Sequence, residues 1–216
     1  MRIPTPMEER ANVLTHGLGL GIAIAASSLL MTTAIRLGSA WNIWGCGIYV
    51  VTLISAYTAS TLSHLFESPR LRHAFRAADQ AIIFLFIAGC WTAIAFARTR
   101  TPLGWTVLAA VWAVGLVGFF SKALFNHRVE LGAVSLALYL FEGALAAAGS
   151  WPLLMGVHHT LLSWFMASCA CYLAGTFFFI YDHRVRYFHA AWHIAVVAGS
   201  TCHYLGVLNY CTGWRP

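Results

Sequence analysis

Two histidines stand four residues apart in His189-Ala-Ala-Trp-His193, inside an otherwise apolar stretch. On a helix, side chains at i and i+4 lie one above the other on a single face, so the two imidazoles can share a metal ion. A third histidine, His64, and a carboxylate, Asp79, sit in or beside other apolar stretches. Ionisable groups at membrane depth are costly, and by default they mark a functional site. Three neutral imidazoles with an open fourth position form a recurrent catalytic zinc arrangement, which lowers the pKa of a bound water to about 7. A carboxylate that is not itself a ligand can hold that water or take its proton, and Asp79 is the candidate. Ser60 lies one helical turn deeper than His64 and can hydrogen-bond a substrate carbonyl or a group beside the metal. Nitrogen-rich ligation suits Zn²⁺, with Fe²⁺ and Mn²⁺ as alternatives. For any one of these histidines alone, a hydrogen-bonded structural role is the simpler reading. The coincidence of all four groups at one depth carries the metal reading.

The elements that must position them are membrane helices. The chain has 216 residues, of which 60% are hydrophobic and 9% charged, against roughly a quarter charged in a soluble domain. This composition predicts an integral membrane protein. About 20 mostly apolar residues cross a bilayer core. Seven stretches qualify: roughly 14–35, 42–65, 79–97, 103–121, 131–149, 153–181 and 188–209. The connections are short, so neighbouring helices should be antiparallel, and residues 1–216 read as one all-α, seven-helix membrane domain. The opening MRIPTPMEERANVLTHG has two acidic residues and lacks the short apolar region of a signal peptide.

Lys and Arg set the orientation. Arg2, Arg10, Arg70, Arg72, Arg76, Lys122, Arg128, Arg184 and Arg186 fall on one side, and only Arg36, Arg98, Arg100 and Arg215 on the other. The positive-inside rule then puts the N-terminus in the cytoplasm and the C-terminus outside. It explains the net charge of +6 better than nucleic-acid binding does, since there is no long basic run or stacking platform. On this topology His64 ends the second helix, Asp79 opens the third, and His189 and His193 begin the seventh. All four lie in the cytoplasmic layer.

Other residues receive plainer readings. His203 is ten residues past His193, about 15 Å along a helix. It is too far for the same metal and suits an interhelical hydrogen bond. The six cysteines, with no C-x-x-C, read as small buried hydrophobes. Trp41, Trp44, Trp105, Trp151 and Trp214 suit interfacial belts. Arg70, Arg72 and Arg76 read as a topology signal and headgroup contact. Glu142 is the anomaly, a charge in the outer half of the fifth span. It is expected to be protonated or paired with His158 or His159, with proton or ion handling as the alternative.

Four motifs together resemble the hemolysin III family, the bacterial branch of the progestin and adipoQ receptor group. They are E-x-x-N-x-x-T-H (Glu9, Asn12, Thr15, His16), S-T-L-S-H (Ser60 to His64), A-A-D-Q-A-I around Asp79, and F-H-A-A-W-H…H-Y from Phe188 to Tyr204. The resemblance implies a seven-helix bundle of the bacterial inner membrane, with zinc at its cytoplasmic side. By motif position, His64, His189 and His193 would be ligands and Asp79 would contact zinc through water. Ser60 would lie near the metal, with Glu9, Asn12, Thr15 and His16 as surrounding hydrogen-bonding or packing groups. It also implies ceramidase-like cleavage of a membrane lipid amide, or of an ester, in lipid homeostasis. Glu142 departs from the uncharged residue expected there. The competing readings are a non-catalytic homeostasis or sensor protein with structural zinc, and a pore-forming cytolysin. The latter fits poorly, because the chain offers no soluble form before insertion.

Overall fold

The computed structural model describes residues 4–125, 132–154 and 159–212. Seven helices follow one another: α1 (Pro6–Leu37), α2 (Ala40–Leu65), α3 (Pro69–Arg98), α4 (Pro102–Phe125), α5 (Gly132–Leu154), α6 (His159–Tyr181) and α7 (Phe188–Cys211). There is no strand among the described residues. Six of the helices are long and apolar enough to cross a membrane, and the apolar part of α5 is the shorter Val134–Gly149. The chain is a multi-pass membrane protein. Lone Leu, Ile and Val side chains such as Leu18, Ile22, Val51 and Val117 face outward, as a hydrocarbon solvent permits.

Local chemistry starts the first four helices. Thr5 caps α1 in a capping box with Glu8, and Ser39 caps α2 with Asn42. These side chains satisfy backbone N–H groups that have no partner within the helix. Proline occupies the first position of α1, α3 and α4, where its missing N–H costs nothing. The seventh helix begins differently. Tyr187 precedes it with φ 62° and ψ 3°, in the left-handed region. For a residue with a Cβ this conformation costs about 1–2 kcal/mol, so neighbouring contacts must hold it.

α2 packs against α1 and α3, α3 against α4, α4 against α5, and α6 against α7, while α7 returns to touch α1, α2 and α3. The core is built from Leu30, Tyr49, Leu53, Trp91, Ile94 and Val111, each almost fully buried. A Cβ on Gly89 would collide with Thr52, so glycine is what lets α2 and α3 approach so closely. Several helices extend past the apolar stretches read from composition, but the expected sixth span opens too early: residues 153 and 154 close α5, and α6 starts at His159. The main difference is in α3, which starts ten residues earlier than expected, at Pro69. Asp79 therefore lies three turns inside α3 instead of at its opening.

Candidate metal centre

The three histidines converge. One ring nitrogen from each of His64, His189 and His193 lies within 4.8 Å of the others, close to the roughly 3–4 Å between two donors on one zinc ion. Ring centroids are 5.0 Å apart for His64 and His189, 5.2 Å for His64 and His193, and 4.6 Å for His189 and His193. α2 supplies the first histidine from its last turn, and α7 supplies the other two from its first two turns.

Each ring has its Nδ1 held from outside. His64 Nδ1–H donates to Glu9 Oε2 at 2.7 Å, and His189 Nδ1–H to Asp182 Oδ2 at 2.8 Å. His193 Nδ1 lies 3.1 Å from Thr15 Oγ1. The Thr15 hydroxyl donates its proton to the carbonyl of Ala11 or Asn12, so it accepts from His193. These bonds fix one tautomer on all three rings and leave Nε2 as the free donor. Three neutral, oriented imidazoles are a donor set that fits a divalent metal ion.

The residues expected around the histidines gather there. His16 stacks on His193, centroids 3.6 Å apart and planes 19° from parallel, and its Nδ1 is 2.6 Å from Ser60 Oγ. Its Nε2 is buried with no hydrogen-bond partner. Asn12 Nδ2 lies 3.4 Å from His64 Nδ1. The Asp79 carboxyl sits beside the hydroxyls of Ser60 and Ser63, with His189 and Arg76 in its surroundings. The site is thus assembled from α1, α2, α3 and α7. Its open edge is at His189 and Asp182, whose side chains are 30% and 26% exposed, whereas His64 is 6% exposed.

Several participants were not anticipated. Asp182 lies in the short α6–α7 connection, seven residues before His189. A carboxylate one short loop ahead of a histidine pair was the available signal. Glu8 is 3% exposed and binds the Tyr187 N–H at 3.2 Å, in addition to closing the α1 capping box. That bond holds the left-handed turn from which α7 launches. Arg72 and Arg76 do more than mark topology, since they approach Glu9 Oε1 at 3.9 and 3.4 Å. Lys122 is turned inward and donates to Gln80 Oε1 at 2.9 Å.

The outlying expectations resolve as follows. His203 makes the interhelical bond, with its Nε2 3.1 Å from the Cys90 carbonyl. The cysteines form no disulfide. Trp41 and Trp105 pack together at 5.5 Å, while the Trp151 and Trp214 side chains lie outside the described residues. Glu142 is fully buried, and neither carboxyl oxygen has a hydrogen-bond partner among the described residues. Its expected partners, the side chains of His158 and His159, also lie outside the described residues.

Comparison with known proteins places the chain in a family. Residues 5–204 match the family described as Haemolysin-III related. The chain is 32% identical to the Hemolysin-3 homolog of Bacillus subtilis (strain 168), over 96% of each protein. It is also 32% identical to Hemolysin-3 of Bacillus cereus, over 94% of this chain and 91% of that one. At 26% identity it is similar to the Monocyte to macrophage differentiation factor of Homo sapiens, over 96% of this chain and 86% of that protein. A match of this extent shows that the chain belongs to the haemolysin-III related family.

Proposed function

We propose that the protein is a zinc-dependent hydrolase of a membrane-lipid amide or ester. It resides in the bacterial inner membrane and crosses it seven times, with the N-terminus and the histidine site on the cytoplasmic side and the C-terminus outside. The observation that carries this reading is the histidine trio with every Nδ1 tied off, set beside a carboxyl and a serine that bind no ring nitrogen of that trio. A purely structural metal site is usually closed by four protein ligands, whereas three imidazoles leave a position open.

His64, His189 and His193 would hold the ion. Bound there, zinc supplies a Lewis acid for a carbonyl oxygen and makes water a nucleophile at neutral pH. The chain's own groups do the rest. Asp79 accepts the proton of the attacking water and returns it to the departing amine or alcohol. His16 donates from Nδ1 to Ser60, which leaves the serine hydroxyl proton for Asp79 or the substrate carbonyl. Glu9, Asp182 and Thr15 keep the three rings from rotating. The lipid approaches laterally, since the site lies at the end of apolar helices.

The test pairs chemistry with metal content. Purified wild type and Asp79→Asn are compared for fatty acid released from ceramides and glycerolipids by mass spectrometry, and for zinc by elemental analysis. The variant should keep its zinc and lose about 10²–10⁴-fold in turnover, the usual contribution of a general base. If zinc-loaded wild type releases no fatty acid from any lipid class, the hydrolase reading fails. Structural zinc in a homeostasis or sensor protein then takes its place.

A further inference from the structure

Far from the histidines, Glu142 sits on the buried stripe of α5 that also carries Ser135 and Ala146. Its side chain is 0% exposed, and neither oxygen finds a hydrogen-bond partner. Such groups are rare in folded chains, and each calls for an explanation. The helix packed across from it, α4, presents Gly115, where a Cβ would stand 2.9 Å from Glu142 Oε1. The glycine makes room for the carboxyl and brings it no charge. The titratable neighbours are Tyr139 on α5 and Cys90 on α3. The Tyr139 hydroxyl is already committed to the Gln80 carbonyl at 2.7 Å. No cation faces Glu142 among the described residues. A lone carboxylate in this setting is far costlier than a neutral acid.

We infer that Glu142 is a proton-binding site in the membrane interior, separate from the histidine centre and reached from the hydrocarbon side. A groove of about 330 Å³ between α4 and α5 supplies the route. Phe84 forms its floor, and Val114, Val117, Gly118, Leu138 and Phe141 line its walls. Val117 and Phe141 are 68% and 56% exposed on the lipid-facing side. The Phe84 carbonyl lies 3.4 Å from the same Gly115 Cβ position that nearly touches the carboxyl. Little more than the Phe84 backbone therefore separates the groove from the acid. The inference is independent of the proposed hydrolysis.

Infrared spectroscopy tests the bound proton. Wild type minus Glu142→Gln, at matched zinc and helix content, should show a protonated-carboxyl C=O band that shifts in D₂O. Carboxylate bands alone would overturn the inference, because Glu142 would then be ionised and paired. Labelling of wild type needs no variant. Native membranes treated with dicyclohexylcarbodiimide should yield an N-acylurea on Glu142, located by tandem mass spectrometry. The carboxyl adds across one C=N bond and rearranges, so no further reagent is consumed. A water-soluble carbodiimide should leave Glu142 unmodified. Absence of the lipophilic adduct, or equal labelling by the soluble reagent, would overturn access from the hydrocarbon.

Discussion

The histidine centre and Glu142 are both polar islands in an apolar bundle, and they are built in opposite ways. At the centre, every ring of the histidine trio has an outer partner, and those partners are themselves held: Glu9 by Arg76, Thr15 by its own helix. Glu142 is buried without a hydrogen-bond partner among the described residues. The first arrangement fixes orientation through several bonds between helices. The second leaves one group free to gain or lose a proton without moving anything else. Buried polar groups in one bundle thus follow two designs, one that locks orientation and one that leaves a carboxyl alone.

Breaking the centre outright should give the largest effect. The double substitution His189→Ala/His193→Ala should take bound zinc from about one ion per chain to none, read by elemental analysis after detergent purification. Zinc retained in that variant would remove the histidine trio from consideration. Removing an outer partner should be gentler. Glu9→Gln keeps the shape and loses the charge that faces His64, and zinc affinity should fall about 10–100-fold in a chelator competition. An unchanged affinity would make Glu9 a packing group that serves Arg72 and Arg76.

The contrasting design predicts a contrasting sign. Glu142→Leu replaces an unpartnered polar group with an apolar one and should raise stability by about 1–3 kcal/mol in thermal unfolding. A clear loss of stability would mean that the carboxyl is paired. The smallest effect is expected at Thr15, which gives His193 one neutral bond. Thr15→Val should cost about 1 kcal/mol, close to a fivefold weakening of zinc binding and well below the Glu9 effect.

Much of the centre was legible because its signals were local or followed from topology. The spacing of His189 and His193 needs only a helix. Counting antiparallel spans then carries His64 and Asp79 to the same end of the bundle. The E-x-x-N-x-x-T-H motif placed Glu9, Asn12, Thr15 and His16 near them, and the structure finds all four there. Three features escaped. Asp182 and the left-handed Tyr187 belong to a connection whose shape comes from tertiary contacts, and apolar periodicity is silent on it. The early start of α3 escaped because hydropathy finds the apolar part of a helix and not its polar overhang. Ser68-Pro69 was a usable helix-start signal, and that overhang carries Arg72 and Arg76 to Glu9. The surroundings of Glu142 could not be read from sequence at all, since period and depth place a residue on a face without saying what it meets.

The bond between Glu8 and Tyr187 joins residues 179 positions apart. Its consequence concerns the order of events in a living cell. At roughly 5–20 residues per second, His189 leaves the ribosome about 6–25 seconds after His64. Until then the nascent protein owns one imidazole of three, and the turn that aims the other two has nothing to rest on. Under the proposed metal site, capture of the ion would therefore be the last step of biogenesis. A ribosome that stops before Phe188 releases a membrane protein with nearly all of its helices and no metal centre.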